Sequence, residues 1–174
     1  ANRDHMRYFA GFGVSHWDLT DDPMPRRTVI RHRLLFDPFD LKHVFMLNTD
    51  VGLMESEDGG HAWKTAIQNN GVPDKWMNTT YWLVFDPKVK GRAWAALSDV
   101  HDLPRPKMWR TEKISSYKGG IVLTENGGKS WKPISEDIGE AAITHILLDT
   151  LSDINKRILY ACAFGKGVYR SSDG

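Results

Sequence analysis

The chain has 174 residues, with 23 Lys and Arg against 22 Asp and Glu and a net charge of +1. So balanced a charge gives no electrostatic case for a nucleic-acid partner or an anionic membrane surface. No apolar run approaches the ~20 residues a membrane helix needs. The lone cysteine, Cys162, excludes an internal disulfide and is expected as a small buried hydrophobe in a strand.

Taken from the N-terminus, Tyr8 to Trp17 reads as strand material, and 1–27 as the remnant of a preceding repeat with its connection. A pattern of short β-branched and aromatic runs then begins near Thr28, separated by Gly, Pro, Asn and Asp, as in antiparallel strands. The first repeat, 28–67, runs Leu34-Leu35-Phe36-Asp37-Pro38, Val44 to Leu47, Gly52-Leu53-Met54 and Ala62 to Ile67. The second, 68–135, runs Leu83-Val84-Phe85-Asp86-Pro87, Ala93 to Leu97, Gly120 to Leu123 and Ser130 to Ile134. The third, 136–174, runs Ile146 to Asp149, Ile158 to Ala161 and Gly167-Val168-Tyr169. Each full repeat therefore predicts four strands, A to D, which is one propeller blade.

A fixed phrase sits between strands C and D. Ser56-Glu57-Asp58-Gly59-Gly60-His61-Ala62-Trp63 returns as Thr124-Glu125-Asn126-Gly127-Gly128-Lys129-Ser130-Trp131 and begins again at Ser171-Ser172-Asp173-Gly174. Its chemistry is that of a tight hairpin. Glycine supplies positive φ without steric cost. The Asp or Asn side chain accepts backbone N–H groups just downstream, the hydroxyl adds another bond, and the tryptophan covers the turn. The phrase resembles the Asp-box, or BNR repeat, of sialidase-like propellers. In this reading Ser56, Asp58, Gly60, Trp63, Thr124, Asn126, Gly128, Trp131, Ser171 and Asp173 are structural. The expected fold is all-β, a partial propeller of about three four-stranded antiparallel blades. Propellers close with about 4–8 blades, so the chain is expected to belong to a longer polypeptide or to pair with a second fragment, and to fold poorly alone.

In a blade the A–B and C–D turns share one face of the disc, and the B–C and D–A loops share the other. The first B–C connection is barely Asp50-Val51, whereas the second swells to Ser98 through Lys118; the D–A loop before it runs from Gln68 through Thr79. Long loops on a rigid scaffold concentrate binding residues. Trp76 and Trp109 are candidate stacking platforms for pyranose rings, with packing into the blade as the alternative. Arg105, Lys107, Arg110 and His101 are candidate ligand contacts, the arginines suiting a carboxylate or sulfate; an ordinary solvated loop is the alternative. Asp74, Asp99 and Asp102, with Asp18 from the connection into the first full blade, are candidate general acids or bases, since glycosidic hydrolysis uses a pair of carboxyls. His101 and Asp102 alone are no metal set, and no metal or other cofactor is implied.

The resemblance implies carbohydrate processing or recognition outside the cytoplasm. True sialidases carry an Arg-Ile-Pro element, and this chain has Pro104-Arg105-Pro106 instead. The Phe-Asp-Pro endings look more like the xyloglucanase-type, glycosidase-like group. If the protein is an enzyme, it is expected to be a glycoside hydrolase with paired Asp carboxylates. The alternative is a non-catalytic propeller for protein interaction or assembly, which needs a broad face and no acid pair.

Overall fold

The computed structural model describes residues 33–101, 103 and 116–174. Across them lie three antiparallel sheets formed by strands consecutive in sequence. The first holds β1 (Arg33–Asp37), β2 (Asp40–Leu47), β3 (Leu53–Ser56) and β4 (Lys64–Thr65). The second holds β5 (Thr79–Phe85), β6 (Ala93–Ser98), β7 (Gly119–Thr124) and β8 (Lys132–Pro133). The third holds β9 (Ile143–Asp149), β10 (Ile158–Ala163) and β11 (Gly167–Ser171). This is the expected all-β partial propeller of up-and-down blades. The outer strands β4 and β8 are shorter than the runs Ala62–Ile67 and Ser130–Ile134 suggested. Each is an edge strand, and the residues on either side turn back into the phrase or into the next blade.

Register decides which side chains meet between blades. Leu35 pairs with Phe45, Val84 with Trp94 and Leu147 with Tyr160, so these positions are equivalent in the three blades. Phe45, Leu47 and Leu53 of the first blade pack against Leu83, Ala95, Leu97 and Val122 of the second. Trp94, Ala96 and Ile121 of the second then pack against Ile143, Ile146, Leu159 and Ala161 of the third. Full burial of one such aliphatic or aromatic side chain contributes about 1.5–3 kcal/mol, so the two inter-blade layers are the core. In the third blade the same positions face outward: Val168 is equivalent to Leu53 and Ile121 but is 70 % exposed. Cys162, on that side of β10, is half-buried rather than enclosed, because Val168 beside it lies open.

The three phrases fold alike. Asp58 Oδ1 accepts the backbone N–H of His61 and of Ala62, both at 2.9 Å, and the Ser56 hydroxyl at 2.8 Å. Ser56 Oγ in turn accepts Gly60 N–H at 2.8 Å. The N–H of Ala62, then the Ser56 hydroxyl, holds the Asp58 carboxyl below the usual carboxylate range. In the second phrase Asn126 Oδ1 accepts Ser130 N–H at 2.9 Å, and Thr124 Oγ1 accepts Gly128 N–H at 2.9 Å. In the third the Ser171 hydroxyl donates to Asp173 at 2.8 Å. The tryptophans diverge. Trp63 closes its own turn, its indole N–H on the Gly60 carbonyl at 3.0 Å. Trp131 is buried and reaches into the first blade, donating to the Ala66 carbonyl at 2.8 Å.

Candidate functional site

Backbone hydrogen bonds sort the turns onto two faces. On one, the C–D turns bond the A–B hairpins: Gly59 N–H to the carbonyl of Lys42 near the start of β2, and Gly127 N–H to the Gly91 carbonyl, both at 2.8 Å. On the other, the B–C and D–A segments bond each other, Gly52 N–H to the Asn78 carbonyl and Thr80 N–H to the Asn48 carbonyl, both at 3.0 Å. The phrase residues therefore sit away from the long loops.

The loop face is knitted by charged side chains from successive blades. His101 Nδ1 lies 2.5 Å from Asp50 Oδ1, joining the B–C loops of the first two blades, and Asn78 Nδ2 donates to the same oxygen at 3.5 Å. Lys75 pairs with Glu140, and Lys118 Nζ lies 3.9 Å from the other Glu140 oxygen. Lys166 Nζ donates to the Ile138 carbonyl at 2.9 Å. Beneath these, Tyr81 anchors the root of the long loop. Its hydroxyl donates to the Val100 carbonyl at 3.0 Å and accepts Leu103 N–H at 3.2 Å, beside a small cluster of Leu103, Tyr117 and Ala142.

The sequence-based candidates fare differently. Asp74 opens a short 3-10 turn, Asp74–Trp76, and is exposed. Asp99 has structural work: its carboxylate accepts Lys118 N–H at 2.8 Å, closing the two ends of the long loop. Trp76 is a correction. It is 7 % exposed and belongs to the core between the first two blades. A Cβ on Gly120 would stand 2.4 Å from its ring, so the indole packs against bare backbone and, being buried, presents no stacking surface to a ligand. Asp18, Asp102, Arg105, Lys107, Trp109 and Arg110 lie outside the described residues.

Asp50 lies in a B–C loop so short that little in the sequence singles it out. Its backbone has φ of 66°, left-handed for a residue with a side chain, and that carboxylate is half exposed beside His101. Such backbone is sparsely populated, though Asp tolerates it better than most. The signal in the sequence is Thr49-Asp50-Val51-Gly52, a two-strand connection short enough to favour Asp, Asn or Gly at a left-handed position. Among the described residues, no three His, Cys, Asp or Glu side chains converge as a metal set would.

No protein-family model matches the chain. An oligoxyloglucan-reducing end-specific xyloglucanase of Emericella nidulans is 29 % identical over 104 residues, which is 59 % of this chain and 10 % of the relative. The chain thus spans only a small part of the curated relative it matches. Among solved structures, an ancestral GH74 enzyme superposes with a TM-score of 0.55 at 14 % identity, over 79 % of this chain and 16 % of that one. The GH74 xyloglucanase of Xanthomonas campestris gives 0.43 at 18 % identity, over 81 % and 22 %. The fold is thereby defined as part of a β-propeller, like that of the ancestral GH74 enzyme.

Proposed function

We propose that the chain is part of a carbohydrate-active propeller of the Asp-box type, a glycoside hydrolase acting outside the cytoplasm on a xyloglucan-like polysaccharide. The reading rests on likeness to a xyloglucanase over 104 residues, and one structural observation carries it to residues. That observation is Asp50, a half-exposed carboxylate on left-handed backbone where two B–C loops meet. Strained backbone of this kind costs on the order of 1–3 kcal/mol and persists where surrounding structure holds it, often at functional sites. His101 orients the carboxylate. Hydrolysis needs a second carboxyl across the bond. Asp74, exposed and with no side-chain partner among the described residues, is the nearest candidate by loop, with Asp18 and Asp102 also in the set. Arg105, Lys107, Trp109 and Arg110 are proposed to line the sugar path from the long loop. Among the described residues no helix is long and apolar enough to cross a membrane.

The test is a polymer panel of xyloglucan, unsubstituted β-glucan and an acidic polysaccharide, scored for new reducing ends and for adsorption. New ends from xyloglucan support the proposal. Adsorption without new ends would replace hydrolysis by recognition. The absence of both would overturn the carbohydrate reading and leave an interaction module.

A further inference from the structure

The first strands of the three blades carry a side-chain stack that neither the phrase nor the loop face uses. The closest contacts between blades join β5 and β6 to β9 and β2 to β5, the pattern of a propeller whose first strands line the hub. Asp37 and Asp149 end β1 and β9, Asp86 directly follows β5, and the residue four positions before each is Arg33, His145 and Trp82 respectively. The side chains at these equivalent positions meet. Arg33 Cζ stands 4.0 Å from the centroid of the Trp82 ring. The Trp82 and His145 rings are 3.8 Å apart between centroids and tilted by 37°.

The charge of this stack is uncompensated among the described residues. Among the described residues no carboxylate lies within ion-pair distance of Arg33 or His145, whereas Asp86 is taken by Arg157 and Asp37 by His43. Burial first, and the Arg33 charge second, hold the His145 imidazole below its ordinary value, so the ring is neutral near pH 7 and keeps one N–H to donate. A guanidinium on an aromatic face is held in its plane by the cation–π attraction with its N–H edge left for a ligand. A planar or tetrahedral oxyanion fits that edge in bidentate fashion.

We propose that Arg33, supported by Trp82 and flanked by His145, forms an oxyanion-binding site at the hub, for the carboxylate or sulfate group of an acidic sugar. The site is separate from the loop face and does not depend on hydrolysis there. It is tested by titrating the full chain with glucuronate, glucose 6-sulfate, inorganic sulfate and glucose, following the Arg33 Nε–H and Trp82 indole N–H signals by NMR. Saturable shifts with glucuronate and glucose 6-sulfate, none with glucose, and a loss of about tenfold or more in affinity in Arg33→Gln are expected, since hydrogen bonds to charged groups contribute about 1.5–3 kcal/mol. Inorganic sulfate binding as tightly as the two acidic sugars would keep the oxyanion site and remove the sugar from it. Absence of saturable shifts with any of the three anions would overturn the proposal, as would wild-type affinity in a folded Arg33→Gln. Arg33→Lys, which keeps the charge and loses the planar fork, is expected to bind more weakly than the wild type and more tightly than Arg33→Gln.

Discussion

At the scale of single residues, the same glycine position carries different burdens in the two complete phrases. Gly60 and Gly128 both have positive φ, at 96° and 90°. A Cβ on Gly60 would meet only the Trp63 ring, at 3.6 Å, which is ordinary contact; on Gly128 it would stand 2.8 Å from Phe45 of the neighbouring blade. Gly60→Ala is therefore expected to cost about 1–2 kcal/mol, the penalty for left-handed backbone alone. Gly128→Ala should cost about 2–5 kcal/mol, because overpacking adds to it. Urea unfolding of the two variants checks this, and equal losses would contradict the packing account. The contrast was not legible in the sequence, where the two phrases look interchangeable; only the neighbour across the blade distinguishes them. Trp76 teaches the same lesson. Its polar sequence neighbours suggested an exposed ring, but Gly120, far away in the chain, opens the space that takes it in.

At the scale of elements, the strand-A aspartates Asp37 and Asp86 hold different cations, and the difference sets how their blades respond to pH and mutation. Asp37 and Glu55 bracket His43, at 3.0 Å from Nδ1 and from Nε2. The Glu55 hydrogen bond, and behind it the one to Asp37, raises the imidazole above its ordinary value against the opposing effect of burial. A folded-state value above the unfolded one means that stability is fully present below the ordinary histidine value, near 6.5. It is lost as pH rises through the raised folded value. Melting temperature between pH 6 and 9 should therefore fall in the wild type, and fall less in His43→Gln; parallel curves would contradict the assignment.

Asp86 instead takes Arg157 of the next blade, with Nε at 2.9 Å and a second nitrogen at 2.6 Å from its two oxygens, both side chains buried. Burial pushes the Asp86 carboxyl up, but the Arg157 hydrogen bond and its other partners outweigh that and hold it below the usual range. Arg157→Leu should cost about 3–5 kcal/mol by leaving a buried charge alone, and the double change Asp86→Leu with Arg157→Leu should recover part of that loss. Denaturant titration of the single and double variants decides it, and additive losses would contradict the pairing. The Asp-Pro endings of strand A were plain in the sequence. Their partners were not, because Arg157 comes from the next blade and His43 looked like an ordinary strand residue.

At the scale of the whole molecule, repetition made the blade order legible: apolar runs gave three strands in each blade and the phrase gave the turn into the fourth. The faces of the end blades follow from the same repetition. Tyr160 and Val168 occupy positions that are buried against a following blade elsewhere, and Leu147 one that is partly buried there, and all three lie open here. An exposed apolar patch of this kind favours association. Sedimentation velocity is expected to show self-association that grows with concentration and weakens in Val168→Lys; a concentration-independent monomer in both would contradict it. The loop face was legible only as a place. The long connection pointed to it, but Asp50 was hidden in the shortest loop, because strained geometry leaves little trace in a sequence beyond a neighbouring glycine.

The most direct test of the central claim compares wild type with Asp50→Asn for reducing ends released from xyloglucan, with matched circular dichroism spectra. The account predicts release by the wild type and a loss of about 10²–10⁴-fold in the variant, the range spanned by positioned acid–base groups. Release undiminished by Asp50→Asn would remove Asp50 from the chemistry, and no release by either protein would contradict hydrolysis by this chain.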